Sequence, residues 1–500
     1  MDYKKLQNGS DIRGVALEGI EGQHVNLTEA SCRDIGRGFV LWLRSRIGRD
    51  TLRVAVGRDS RLSGETLSGW LCSAMAEEGI AVTDIGLAST PAMFMSTVSG
   101  DAPFDAAVMI TASHLPFNRN GFKFFTAEGG LEKGDISAIL AHAESDAHTG
   151  LAPAETVKGE FMDTYAAILV DKVRTAAGSE KPLEGFRIVV DAGNGAGGFY
   201  VDKVLKPLGA DTEGSRYLEP DGSFPNHIPN PEDAAAMDAI CEAVAEAKAD
   251  LGIIFDTDVD RAGAVLSDGS ELNRNRIIAM LAAILLREHP GTTIVTDSIT
   301  STGLASFIAK RGGIHHRFKR GYRHVINEAI RLNSLGQDCQ LAMETSGHGA
   351  LMENYFLDDG AYLVTKLLIE LARGKAEGYS LESLIAELEE PAESREFRLN
   401  IIPEDFKSCG QAVLDALLAY AGNKEGWSIA PNNFEGVRVN LDAGHGNGWF
   451  LLRLSLHDPL LPLNIESDSE GGVLTIAREL APFLMSCEGL DTSKIAAFIA

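Results

Sequence analysis

The stretch Leu251-Gly252-Ile253-Ile254-Phe255-Asp256-Thr257-Asp258-Val259-Asp260-Arg261 runs an apolar, β-rich segment into three carboxylates at alternate positions. Five apolar or glycine residues closed by an acid read as a strand-like run leading into a loop. In an extended segment, carboxylates at i, i+2 and i+4 point to one side; on a helix they would fan apart. Like charges about 4 Å apart repel by roughly 4 kcal/mol at an effective dielectric of 20, so the cluster calls for a cation. Oxygen-only donors favour Mg²⁺, held by Asp256, Asp258 and Asp260, and no Gly-x5-Glu continuation meets calcium-loop spacing. The alternative reading is a solvated acidic turn.

The same strand-then-loop rhythm recurs outward from this segment. Leu52 to Val56 leads into Gly57-Arg58-Asp59-Ser60-Arg61, Ala106 to Ile110 into Thr111-Ala112-Ser113-His114, Phe186 to Val190 into Asp191-Ala192-Gly193-Asn194-Gly195, and Thr293 to Val295 into Thr296-Asp297-Ser298. Amphipathic stretches follow, so the pattern predicts α/β units with ligand loops at the carboxyl ends of strands. From about residue 392 the pattern changes: Phe397 to Ile402, Trp427 to Ile429, Gly436 to Leu441 and Trp449 to Leu456 read as antiparallel strands with helices between. Polar or Pro/Gly-rich breaks at Glu144 to Thr156, after Arg261 through Asp268-Gly269, and at Leu388 to Ser394 divide the chain into 1–155, 156–268, 269–390 and 391–500. The expected fold is three similar α/β domains followed by an α+β domain.

The chain's 500 residues allow several cores, and 45% hydrophobic with 23% charged residues is ordinary for a globular protein. Lys and Arg total 45 against 71 Asp and Glu, a net charge of −26 that argues against sequence-independent binding to nucleic acid or an anionic membrane. Six scattered cysteines lack metal-ligand spacing and fit a reducing cytoplasm. No targeting segment is visible, and the run Ala279 to Leu286 falls well short of the ~20 residues of a membrane helix.

Three further loops carry chemistry. Thr111-Ala112-Ser113-His114-Leu115-Pro116-Phe117-Asn118-Arg119-Asn120-Gly121-Phe122-Lys123 offers a hydroxyl nucleophile, an adjacent imidazole and a cation ten residues after the serine. Adjacent Ser and His rarely have nucleophile–base geometry and no Gly-x-Ser-x-Gly elbow is present, so a hydrolase is the poorer reading; a turn or capping hydroxyl is the bland one. Arg453-Leu454-Ser455-Leu456-His457-Asp458-Pro459 supplies a guanidinium fork and a hydroxyl suited to phosphate. Glu344-Thr345-Ser346-Gly347-His348-Gly349 supplies groups that hydrogen-bond sugar hydroxyls, with a polar turn as the alternative.

Taken in order and spacing, these four loops resemble the phosphoserine, metal, sugar-recognition and phosphate-binding loops of the α-D-phosphohexomutase superfamily, which includes phosphoglucomutase and phosphomannomutase. Gly9-Ser10-Asp11-Ile12-Arg13-Gly14, Gly57-Arg58-Asp59-Ser60-Arg61, Asp221-Gly222-Ser223-Phe224-Pro225-Asn226-His227 and Glu435-Gly436-Val437-Arg438 add to the likeness. The resemblance implies four domains around a central cleft and a reaction on small-molecule hexose phosphates. Ser113, as phosphoserine, would pass its phosphoryl group to a glucose or mannose monophosphate, giving a hexose 1,6-bisphosphate that turns round and returns the other phosphoryl group. Mg²⁺ would sit on Asp256, Asp258, Asp260 and the Ser113 phosphate. His114, Lys123 and Arg13 would assist catalysis, and Arg261 would orient the metal loop or substrate. Glu344, Ser346 and His348 would bind sugar, and Arg453, Ser455 and His457 the phosphate that is not reacting. A monomer or homodimer is expected.

Departures from the family pattern are Leu115 in place of its usual Asn, His457-Asp458 in place of Thr-Glu, and a loosely matching Gly321-Tyr322-Arg323-His324. The altered phosphate loop leaves a hexose-1,6-bisphosphate synthase as one alternative. A non-catalytic sugar-phosphate sensor is the other.

Overall fold

The computed structural model describes every residue except Met1, Asp146, Leu456 and His457. Two compact units result: Met1–Ile277 with Ser346–Ser383, and Ile278–Thr345 with Leu384–Ala500.

Among the described residues, the first unit contains an eight-stranded and a four-stranded sheet. In the larger, Arg53–Arg58 lies between the parallel neighbours Ala81–Leu87 and Ala106–Ile110, while Asp11–Val15 and Arg119–Thr126 run antiparallel towards one edge. The helices Glu29–Ile47, Gly64–Glu77 and Lys133–Ala143 contribute to its buried core. Glu29–Ile47 begins at a Thr28–Ser31 capping box and ends at Gly48, whose φ of 72° fits the left-handed helix stop. At Gly38 an added Cβ would come 2.5 Å from the Ile139 carbonyl, so the crossing with Lys133–Ala143 needs glycine. Phe39, Phe122 and Phe124 are fully buried in this core, each worth about 1.5–3 kcal/mol of transfer free energy.

Leu251–Phe255 forms where its apolar run predicts, buried along its whole length, parallel to Ile188–Asp191 and antiparallel to Ala262–Leu266. The acidic loop therefore joins two antiparallel strands, and the Ser113 loop likewise joins Ala106–Ile110 to Arg119–Thr126. This differs from the strand-then-helix expectation for both loops. Nor is Asp256 to Asp260 extended: it is a tight turn with Val259 at φ 67°. A β-branched residue there costs on the order of 1–3 kcal/mol, which the surrounding packing of fully buried Val259 must offset.

In the second unit, Thr293–Thr296 pairs in parallel with Ile314–Arg317 and Cys339–Met343. Its other sheet is antiparallel, in the order Glu393–Asn400, Leu460–Ser467, Gly448–Leu452, Val437–Leu441, Trp427–Ile429. Val437, Val439, Leu441, Phe450 and Leu452 alternate onto the face that builds a core with Phe406–Ala421 and Gly472–Ser486. Arg438 and Trp449 fall on the opposite face. The ladder stops at Leu452, so Arg453 to Ser455 lie outside the strand that the sequence pattern carries to Leu456. The described cysteines are all unpaired, and no described helix is long and apolar enough to cross a membrane.

Candidate active site

The Ser113 loop is fixed by a buried guanidinium. Arg61 donates to the backbone carbonyls of Ser113, Leu115, Pro116 and Arg119, while its own backbone N–H donates to Asp59 Oδ1 at 2.9 Å. Four carbonyls from one turn gathered on one planar cation define the loop's curvature. Within it, the Ser113 N–H donates to Thr111 Oγ1 at 2.9 Å, and Ser113 itself adopts a left-handed conformation at φ 52°. The hydroxyl thereby faces the acidic turn.

Ser113 Oγ donates to Asp256 Oδ2 at 3.0 Å and accepts from Arg261 Nη2 at 2.9 Å. The same guanidinium reaches His114 Nδ1 at 2.6 Å and, through Nε, Asp256 Oδ2 at 3.2 Å, while Nη1 donates to Asn230 Oδ1 at 2.9 Å. Asp256, Asp258 and Asp260 are buried, with carboxylate oxygens within 4.8 Å of one another. Lys123 Nζ donates to Asp258 Oδ2 at 3.0 Å and to Asp260 Oδ2. Thr90 ties down Asp258 through its hydroxyl and through a 2.8 Å bond from its N–H to the Asp258 carbonyl.

Burial and the Asp260 and Asp258 charges push Asp256 well above the usual carboxylate range. Burial acts the same way on Asp260, but Lys123, His348 and Arg261 outweigh it and hold Asp260 below that range. His348 Nδ1 sits 2.6 Å from Asp358 Oδ2 and 3.8 Å from Asp260 Oδ1. Burial opposes its charge, yet Asp358 and Asp260 hold the imidazole up at about 9. Arg13 is paired with Asp11 at 2.9 Å.

The acidic cluster passes a direct test as a cation site. Oδ1 of Asp258 and Oδ1 of Asp260 are buried without a hydrogen-bond partner, and such oxygens are costly unless a charge or ion meets them.

In the second unit, Arg453 Nη1 lies 3.6 Å from Glu435 Oε1, and Ser455 Oγ accepts from the Asp458 N–H at 3.2 Å. Glu435 Oε2 accepts from Ser298 Oγ at 2.6 Å and from the Arg320 N–H at 3.0 Å. Glu344 Oε1 accepts from the Gly321 N–H. Buried Asp297 accepts from Thr345 Oγ1 at 2.8 Å and is pushed up to about 7, first by burial and then by Glu344.

Three family models, described as phosphoglucomutase/phosphomannomutase alpha/beta/alpha domains I, II and III, match residues 4–149, 161–269 and 273–391. A phosphomannomutase/phosphoglucomutase of Pseudomonas putida is 32% identical over 438 residues, covering 86% of this chain and 88% of that protein. The chain belongs to the phosphoglucomutase/phosphomannomutase family. It is thus an α-D-phosphohexomutase superfamily member with three α/β/α domains and a C-terminal domain of helices and a sheet. A phosphoglucomutase of Neisseria gonorrhoeae is 30% identical, with 93% of each chain covered. A crystal structure of a phosphoglucomutase/phosphomannomutase family protein from Burkholderia thailandensis superposes with a TM-score of 0.77 at 26% identity, covering 98% of this chain and 100% of that one.

This family is metal-dependent, and this chain has an acidic cluster with the donors to hold a cation. Of the residues expected from sequence, Ser113, His114, Lys123, Asp256, Asp258, Asp260, Arg261 and His348 converge within the first unit. Ser346 belongs to that unit too, while Glu344, Arg453 and Ser455 belong to the second. His457 lies outside the described residues. Sequence reading did not single out Thr90, Asn230 or Asp358. Thr90 and Asn230 had no signal beyond ordinary loop chemistry, whereas Asp358 stands in an Asp-Asp-Gly step before the helix Gly360–Glu377, a readable cap signal.

Proposed function

We propose that this protein interconverts hexose 1-phosphate and hexose 6-phosphate, with glucose or mannose as the sugar, through phosphoserine at Ser113 and a hexose 1,6-bisphosphate. The observation that carries the proposal is the Ser113 hydroxyl held between the Asp256 carboxylate and the Arg261 guanidinium. A hydrolase would need a base on that hydroxyl. His114 Nδ1 lies 3.3 Å away, but it already takes the Arg261 donor at 2.6 Å, and burial and the Arg261 charge push it down to about 3, so it is a poor base. The closer partners are the Asp256 carboxylate and the Arg261 cation. Such a setting suits an oxygen that carries phosphate.

Asp256, Asp258, Asp260 and the serine phosphate would hold Mg²⁺, which supplies charge neutralisation for the transferred phosphoryl group. Transfer breaks the P–O bond to Ser113 and forms one to the free sugar hydroxyl; that hydroxyl gives up a proton and the Ser113 oxygen takes one up, so the exchange balances. Lys123 and Arg13 supply electrostatic assistance, His348 with Asp358 a proton-carrying pair, and His114 an acceptor that steadies Arg261. Glu344, Ser346 and His348 would recognise sugar hydroxyls, and Arg453, Ser455 and His457 the distal phosphate. The six unpaired cysteines support a cytoplasmic setting, with the chain acting as a monomer or homodimer.

The test is isotopic. With Mg²⁺ and labelled glucose or mannose 1-phosphate, label should flow to the 6-phosphate while Ser113 carries phosphate. Ser113→Ala should lower turnover by more than about 10³-fold, as expected for a lost nucleophile. Full turnover in Ser113→Ala would remove the covalent route, and stoichiometric release of free bisphosphate would convert the assignment to a synthase.

A further inference from the structure

The loop from Asp221 to Asn230 meets both guanidiniums that hold Ser113. At one end Phe224 lies against Arg61, whose guanidinium carbon is 5.3 Å from the ring centroid, inside the ~6 Å reach of a cation–π contact. At the other end Asn230 Oδ1 accepts from Arg261 Nη1 at 2.9 Å and from the Glu232 N–H at 3.1 Å. Arg61 clasps the backbone of the Ser113 turn and Arg261 its hydroxyl, so one loop reaches the nucleophile by two routes.

The loop is stiff by construction. Asp221 Oδ1 accepts from the Ser223 N–H at 2.9 Å and from its hydroxyl at 2.7 Å, and the Phe224 N–H donates to the Asp221 carbonyl at 3.0 Å. The turn is also tied to the end of the strand Ile188–Asp191. The Asp221 N–H donates to the Asn194 carbonyl at 2.9 Å, Asn226 Nδ2 to Asn194 Oδ1 at 2.8 Å, and His227 Nε2 lies 3.0 Å from Asp191 Oδ2. That strand pairs with Leu251–Phe255, which leads into the acidic turn, and the Ala196 N–H donates to the Thr257 carbonyl of that turn at 2.8 Å.

Against the Arg61 segment the loop packs backbone on backbone. A Cβ on buried Gly222 would come 2.4 Å from the Leu62 nitrogen and 2.5 Å from the Ser60 carbonyl oxygen, so only glycine permits the approach. Phe224 then takes φ 49°, a left-handed conformation unusual for a bulky residue. Such strain persists where the surroundings over-determine it, and here the Asp221 bond and the Gly222 contact aim the ring at Arg61. Asp59 Oδ2, 3.4 Å from Arg61 Nε, answers the arginine's charge, so the ring contributes orientation. The Arg61 donors lie in the guanidinium plane on four carbonyls, which leaves a face for the ring to cover.

We propose that Phe224 and Asn230 are positioning residues for the Ser113 nucleophile, Phe224 through Arg61 and Asn230 through Arg261, with the Asp221 to Asn230 loop as the strut between them. Their role rests on the phosphoserine reading of Ser113 and names the groups that aim its oxygen. Without the ring, Arg61 keeps its carbonyls but can tilt, and the serine swings with the turn that it anchors. Sugar and distal phosphate are read by other loops, so the loss falls on turnover and spares substrate affinity.

Steady-state kinetics with glucose or mannose 1-phosphate and Mg²⁺ test this. Phe224→Leu keeps apolar bulk but removes the ring face, and its kcat should fall about 10–100-fold at unchanged KM, the cost of a misplaced nucleophile. Phe224→Tyr restores the ring and should turn over as wild type does. Asn230→Ala should lower kcat in the same way, and it carries the test should Phe224→Leu fail to fold. Hydrogen exchange reads the brace without the reaction: the Ser113 to Arg119 amides should exchange at least about tenfold faster in Phe224→Leu than in wild type. Faster exchange in a protein whose Ser113 never carries phosphate would remove the covalent route and keep the strut. Wild-type kcat and exchange in both variants, a kcat loss as large in Phe224→Tyr as in Phe224→Leu, or a raised KM at constant kcat would overturn the proposal and leave the loop as packing between two sheets.

Discussion

Arg261 Nη2 donates to Ser113 Oγ at 2.9 Å, across 148 residues of sequence, while the same nitrogen reaches Asp256 Oδ2 at 3.1 Å. One guanidinium therefore orders the hydroxyl and a carboxylate of the acidic turn together. Lysine keeps the charge but lacks the planar fork, so Arg261→Lys should lower turnover by about 10²–10³-fold while the protein stays folded. Arg261→Met instead leaves Asp256 buried and unpaired, which should cost about 3–5 kcal/mol in denaturant unfolding. Equal unfolding midpoints for wild type and Arg261→Met would show that the pair carries no such charge balance.

Lys123 occupies the edge of the acidic turn that a divalent ion must share. Its ammonium sits on Asp258 and Asp260, so cation entry works against a positive charge already in place. Lys123→Met should therefore bind Mg²⁺ or Mn²⁺ about tenfold more tightly by calorimetry, yet turn over more slowly. Weaker metal binding in that variant would mean that Lys123 positions the carboxylates more than it opposes the ion.

A pH-dependent contribution to stability sits in the pair His227–Asp191. His227 Nε2 is 3.0 Å from Asp191 Oδ2, with both side chains nearly inaccessible. Burial opposes charging the imidazole, but Asp191 overcomes it and raises the His227 pKa in the folded state. A raised folded pKa adds stability that is fully present below the unfolded value of about 6.5 and is lost as pH rises through the folded value. The destabilisation caused by His227→Asn should thus be larger at pH 6 than at pH 9, measured by urea unfolding at each pH. A gap that is constant, or that widens with pH, would contradict the pairing.

What the sequence made legible was local. The run Leu251 to Phe255 coincides with its strand because five apolar or glycine residues, too few for a typical helix and closed by an acid, fit a strand buried on both faces. The carboxylate triplet was readable as a cluster, but its backbone was not: alternation presumes an extended segment, whereas a tight turn at Val259 converges the same oxygens. Arg61 was visible as a motif residue, yet its clasp on the carbonyls of Ser113 and Leu115 was not, because backbone acceptors far along the chain leave no side-chain pattern. Asp358 was missed for a related reason: it stands beside the cap residue Asp359, but its partners, His348 and the Gly349 N–H, leave no mark in the local pattern.

Gly360 gives a test of how tightly the acidic turn is held, using a residue with no chemistry of its own. It opens the helix Gly360–Glu377 and its N–H donates to the Val259 carbonyl at 3.1 Å. A Cβ there would come 2.6 Å from the Arg261 carbonyl carbon and 2.7 Å from its oxygen, both backbone atoms with no rotamer to yield. Alanine is otherwise favourable in a helix, so propensity alone predicts a small gain. The clash should win. Gly360→Ala should lose about 1–3 kcal/mol of stability and displace the turn, lowering turnover and weakening Mg²⁺ binding together. If Gly360→Ala unfolds later than wild type with unchanged metal affinity, the turn has slack that this packing denies.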